Sequence, residues 1–119
     1  MTGAEPAARQ GEVWFTDLDP TRGREQAGRR PVLVLSVDQI GTGTSRLFIG
    51  APLTTRDHRV RLHLAVESPE GGLRAPSYLM PEQIRCLSRG RLIERWGRVS
   101  DGVLLEAIRR ARLMIRPPL

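Results

Sequence analysis

Seven residues able to act on phosphate, Asp19, Arg22, Arg24, Glu25, Gln26, Arg29 and Arg30, fall within residues 19–30, between two apolar segments. Several cations beside a carboxylate suit a phosphate-bearing substrate better than a packed core, because guanidinium groups grip phosphate oxygens through paired hydrogen bonds. Pro31 follows at once and disfavours a helical backbone at Arg30, which places that residue at the edge of an extended segment. A second chemical stretch is APLTTR, residues 51–56, where Thr54 and Thr55 offer hydroxyl donors next to Arg56. A third, EQIRCLSRGRL at residues 82–92, sets Gln83, Arg85, Arg89 and Arg91 on two adjoining short elements.

The rest of the composition limits what these groups can serve. The chain has 119 residues and a net charge of +6, and every one of its nineteen basic residues is arginine. That charge favours RNA, DNA or an acidic protein as partner. Cys86 is the one cysteine, so an internal disulfide and a cysteine-rich zinc site are excluded. His58 and His63 are too few and too poorly accompanied to make a metal site, and His63, in an alternating segment, is read as structural or exposed. No metal and no cofactor is expected. The first ten residues lack the apolar core of a signal peptide, and the longest apolar runs fall short of a membrane span. The chain reads as cytoplasmic.

The elements that must position these groups follow from the hydrophobic pattern. Residues 1–9 are small, polar and non-periodic and read as a mobile tail, leaving residues 10–119 as one domain. Strands are expected at residues 12–16, 31–37, 46–53, 61–66, 77–80, 84–87 and 92–99, with a turn at 40–45 and a long loop at 67–76. The pattern then changes period. Leu104, Ile108, Ala111 and Ile115 form one stripe of an amphipathic helix, capped by Ser100 or Asp101 and ended by Pro117 and Pro118. Trp14 and Trp96 lie in apolar strands and are read as packing or interface residues, and Cys86 as a small buried hydrophobe. Many short strands with one terminal helix predict a mainly β fold: a small, strongly bent antiparallel barrel with a C-terminal helix packed on it.

Taken together, the motifs resemble the MazF/PemK/Kid family of toxin endoribonucleases. The resemblance runs through GEVWF-DLDP at residues 11–20, G-EQ-G-RP at 23–31, VLVLS at 32–36, APLTT at 51–55, EQIR at 82–85 and RL at 91–92. It implies an SH3-like, PemK-like barrel that forms homodimers and cuts single-stranded RNA, with messenger RNA the expected target, without metal. By motif position the catalytic arginine falls on Arg30, the catalytic threonine on Thr54 and the acidic residue of the EQ pair on Glu25. Arg30 would meet the oxygens of the pentacoordinate phosphorane, Thr54 would orient the phosphate, and Glu25 would serve as general base if its loop closes on substrate. Arg22, Arg24, Gln26, Arg29, Thr55, Arg56, Gln83 and Arg85 are the expected RNA contacts. Two positions depart from the family pattern: Arg24 stands where serine is frequent, and Arg29 adds a second arginine before Pro31. The resemblance also implies a MazE-like antitoxin whose acidic tail crosses the arginine-rich groove. Two rival readings are a non-enzymatic gyrase poison of the same barrel architecture and a basic barrel that binds RNA without cutting it. Neither requires the Arg30–Thr54 pair with the EQ loop.

Overall fold

The computed structural model describes residues 5–118. Seven strands follow in chain order: β1 (Glu12–Asp17), β2 (Arg29–Val34), β3 (Leu47–Thr54), β4 (Leu64–Val66), β5 (Ser77–Leu79), β6 (Arg85–Ser88) and β7 (Leu92–Arg98). All pairings are antiparallel, in the order β4-β5-β3-β2-β1-β7, with β6 beside β3. The sheet curls without closing, because β4 and β7 stand at its two ends and do not pair. A fourteen-residue helix, α2 (Asp101–Met114), follows, and a short one, α1 (Asp38–Gly41), sits between β2 and β3.

The run Val32, Leu33, Val34, Leu35 is continuous rather than alternating because both faces of β2 are buried. Leu33 and Leu35 join Val13, Ala51, Leu53 and Leu79 in a core closed by Leu104, Ala107 and Ala111 of α2. Val32 and Val34 face the other way, into a second core with Trp14, Leu18, Phe48 and Leu87. Burying each such side chain contributes about 1.5–3 kcal/mol, so a polar residue anywhere in the run would expose the cost directly. The α2 N-terminus is capped by the Ser100 hydroxyl, which accepts from Val103 N–H at 3.3 Å. One donor that the first turn leaves unpaired is thereby satisfied.

Several expectations change in detail. Residues 1–4 lie outside the described residues, but Ala8 is fully buried and its N–H donates to Gly41 O at 3.0 Å. Packed structure therefore reaches into residues 5–9. The β2 strand ends at Val34, since the amides of Leu35 and Ser36 both turn to one acceptor, Ile49 O. The helix α1 takes up part of the expected 40–45 turn. Residues 61–63 are not strand: His63 N–H bonds back to Val60 O, after a left-handed backbone at Arg59. Ile115 lies past the last turn of α2 and is 72% exposed, and Ala107 fills the stripe in its place. Cys86 is exposed, facing away from the core that its neighbour Leu87 enters.

Glu12 anchors the opposite end of β1 from the arginine-rich loop. Its carboxylate accepts from Arg9 N–H at 2.8 Å, Trp14 Nε1 at 3.0 Å and Arg95 Nε at 2.7 Å. Burial pushes this carboxyl up, yet those bonds and the Arg95 charge together hold it below the usual carboxylate value.

Candidate functional site

The loop from β1 to β2 is tied at its base and at its tip. Leu18 N–H donates to Gly28 O at 2.9 Å, and Gly28 N–H donates to Asp19 Oδ1 at 3.0 Å. Gly28 takes a φ of +77°, which a side chain would resist. At the tip, Arg22 N–H donates to Glu25 Oε1 at 2.6 Å while Glu25 N–H returns to Arg22 O at 3.2 Å. From outside the loop, Arg91 grips Asp17 O at 3.2 Å and also Asp19 O, and Arg85 reaches Leu18 O at 3.4 Å.

The sheet register then arranges the two residues of greatest interest. Thr16 lies opposite Arg30 across β1 and β2. Between β2 and β3 the last bonded pairs are Leu33 with Ala51 and Val32 with Pro52. Continued two residues further, the same register sets Arg30 across from Thr54. The Arg30 Nε is spent on Ala27 O at 3.1 Å, which fixes the guanidinium while its terminal N–H groups make no protein hydrogen bond among the described residues. Thr54 is buried at 6% exposure, and its Oγ1 accepts from Arg56 N–H at 3.2 Å, leaving the hydroxyl proton free to donate. Arg24, Arg29, Thr55 and Arg56 are exposed around this strand end.

Gln83 closes the arrangement from a third segment. It ends a short 3-10 turn (Pro81–Gln83), and its Oε1 accepts from Gln26 N–H at 3.3 Å. A cavity of about 240 Å³ opens beside that bond, lined by Arg24, Gln26, His58, Val60, His63, Met80, Glu82 and Gln83. Glu82 Oε2 lies 2.6 Å from His63 Nε2, and the His58 ring stands edge-on to His63 with centroids 6.0 Å apart.

Among the residues that the sequence singles out, the loop, the β3 exit and the 82–85 stretch converge at one end of the sheet. Arg22 and Glu25 are the exceptions, engaged with each other at the exposed tip. Arg89 lies elsewhere: its guanidinium binds Gly41 O and Gly43 O at 3.1 and 3.2 Å, joining β6 to the α1 region. His63 and Glu82 escape a reading of the sequence, since nothing in the linear pattern pairs position 63 with position 82. Trp96 stacks on Phe15 at 5.3 Å with rings 6° apart, and Arg74 sits 4.3 Å over it, so its ring is engaged in packing. No group of three His, Cys, Asp or Glu among the described residues is arranged to hold a metal ion.

A half-buried arginine, Arg30, and a buried threonine, Thr54, thus stand on neighbouring strand ends beside a cationic loop. The family model for the PemK-like, MazF-like toxin of type II toxin-antitoxin systems matches residues 9–115, and the chain belongs to that family. Endoribonuclease EndoA of Bacillus subtilis is 34% identical over 98 residues, covering 81% of this chain and 84% of its relative. Endoribonuclease MazF of Staphylococcus saprophyticus is 35% identical over 100 residues, with 82% of each covered. Among solved structures, MazF from Deinococcus radiodurans superposes with a TM-score of 0.82 at 24% identity, covering 92% of this chain and 97% of that one. The MazE–MazF complex of the same organism gives 0.76 at 20% identity, covering 95% and 99%. Both share this fold.

Proposed function

We propose that this chain is the toxin of a type II toxin-antitoxin pair, an endoribonuclease that cuts single-stranded RNA, messenger RNA foremost, without metal. The reading is supported by the β2–β3 register, which, continued two residues past Val32 and Pro52, sets Arg30 across from Thr54, within a family whose named relatives are endoribonucleases. In the reaction the ribose 2′-oxygen attacks its own phosphorus. The O2′–P bond forms, the P–O5′ bond breaks, the 2′ proton passes to a base and the departing O5′ gains one. Arg30 offers its terminal N–H groups to the phosphorane oxygens, where a donor aimed at developing charge is worth most. Thr54 donates its hydroxyl to the phosphate and orients it. Glu25 is the carboxylate suited to take the 2′ proton, once substrate draws it from the Arg22 amide. Arg22, Arg24, Gln26, Arg29, Thr55, Arg56, Gln83 and Arg85 attract and seat the flanking phosphates and bases.

The surrounding surface supports the partners. A net charge of +6 suits both RNA and an acidic antitoxin tail lying over the same groove. Exposed Leu105 and Leu113 on α2 and Ile115 just past it suit a homodimer. No helix among the described residues is long and apolar enough to cross a membrane, in keeping with action in the cytoplasm.

The test is incubation of purified protein with a long single-stranded RNA in EDTA, beside Arg30→Ala. Discrete fragments from the wild type, reduced by about 10²–10³-fold in rate in the variant, are expected. Intact RNA with both proteins, after bound antitoxin has been excluded, would return the choice to the gyrase-poison or binding-only readings.

A further inference from the structure

His63 is a buried polar group that the reaction above does not use. Its side chain is 4% exposed, and Nδ1 has no hydrogen-bond partner among the described residues, while Nε2 meets Glu82. With the Glu82 carboxylate 2.6 Å away, we assign the tautomer whose Nε2 carries the proton, which leaves Nδ1 a lone-pair acceptor. Nδ1 itself is enclosed, but His63 lines a cavity, so an incoming N–H meets this unmatched acceptor once the wall beside the ring gives way.

The other walls give that ligand its shape. Met80, buried, and Val60 supply apolar contact, the His58 ring lies at the rim, and Arg24 brings donors from the loop. Six of the eight lining residues are polar or charged, so a planar molecule seated here is held by hydrogen bonds at its edges, with Val60 and Met80 supplying the apolar contact. Its volume of about 240 Å³ suits one heterocycle rather than a stacked pair. The cavity adjoins the Gln26–Gln83 bond, beside the groove assigned to RNA.

We propose that this cavity is the subsite for one unpaired nucleobase of the RNA, taken through a lactam edge: its ring N–H donates to His63 Nδ1 and its carbonyl accepts from Arg24. The inference rests on the ribonuclease reading and adds a specificity-determining pair to it. Guanine and uracil carry such an edge; adenine has no carbonyl, and cytosine has no ring N–H beside its own. A site built to hydrogen-bond a group rejects analogues that lack it, because its own buried polar atoms are then left unpaired.

The experiment is cleavage of a fully randomised single-stranded RNA library by wild type, His63→Phe and Arg24→Ala, with the new ends sequenced. His63→Phe keeps a ring in the core and removes the acceptor; Arg24→Ala alters an exposed loop side chain and decides the matter alone where His63→Phe does not fold. The wild type is expected to prefer guanine or uracil at one position, and the library shows which of the two. In both variants that preference should fall at least about tenfold at the same position and persist elsewhere. Preference is a ratio of rates, so a general loss of activity leaves it unmoved. Unchanged preferences at every position, or an even flattening across all of them, would overturn the subsite while leaving the ribonuclease standing. No cleavage by wild type would remove both.

Discussion

Gln26 N–H donates to Gln83 Oε1 at 3.3 Å across 57 residues of sequence, joining the arginine-rich loop to the short turn that precedes β6. The bond matters because the rest of the loop is held mainly by its own ends and by arginines reaching backbone carbonyls. One hydrogen bond of this kind contributes about 1 kcal/mol, equivalent to roughly a fivefold change in how much of the time the loop is docked. Gln83→Ala is therefore expected to lower kcat/KM for RNA cleavage by about five- to tenfold. The melting temperature should stay near that of wild type, since Gln83 lies outside both cores. Steady-state cleavage beside a thermal melt checks this. A large drop in melting temperature with unchanged kcat/KM would place the role of Gln83 in folding instead.

Among the described residues the Arg30 side chain makes one protein hydrogen bond, through Nε to Ala27 O, so its chemistry depends on the planar fork rather than on charge alone. Arg30→Lys restores the charge without the paired donors. It is expected to lose about 10²–10³-fold in kcat, close to Arg30→Ala, with little change in stability. Single-turnover cleavage by the two variants separates the possibilities. Recovery by lysine to within about tenfold of wild type would mean that Arg30 acts as a point charge.

The amino-acid sequence carried the parts of this site that lie close in the chain or on paired strands. The cation-rich loop and the TT exit from β3 are each legible from local residue types, and the VLVL run marks a strand buried on both faces. What stayed hidden depends on contacts that no period encodes. His63 and Glu82 meet because β5 folds back along β4, pairing Leu64 with Leu79, while the alternation at residues 61–66 mimics a strand that the Arg59 bend cuts short. Cys86 looks apolar beside Leu87, yet the pleat sends neighbours to opposite faces. Ile115 continues the 3.6 period beyond the point where the helix has ended at Met114.

Gly72 shows how closely the long loop after β4 is packed against β7. Its φ is +74°, and a Cβ there would fall 2.1 Å from Trp96 O, an immovable backbone atom. Gly72→Ala must therefore shift the loop or the strand, and with it the Phe15–Trp96–Arg74 stack. Overpacking of this kind costs about 1–3 kcal/mol, to which the left-handed backbone adds roughly another 1 kcal/mol. The expected result is a clear drop in melting temperature with a change in tryptophan fluorescence. Wild-type stability in this variant would mean that the loop relaxes freely.

Two carboxyls set the behaviour in acid. Glu106 is held at about 2 by hydrogen bonds from Arg109 and Arg110, and Glu12 is held below the usual value as described above. Both are lowered on folding, so their contribution is complete above the unfolded value of about 4.5 and is lost as pH falls through the folded ones. Glu106 sits on the solvent side of α2, where water and salt weaken its pairs, so Glu12, with 11% of its side chain exposed, carries the larger share. Glu12→Gln keeps an oxygen for Trp14 and Arg9 but gives up the charge that Arg95 meets. It is expected to be less stable than wild type by about 1–2 kcal/mol at pH 7. The difference should shrink steadily below about pH 4.5, as the wild-type carboxyl takes up its proton. Urea unfolding of both proteins at about pH 7, 4 and 3 measures it, and a gap that stays constant over that range would show that the carboxylate charge contributes nothing.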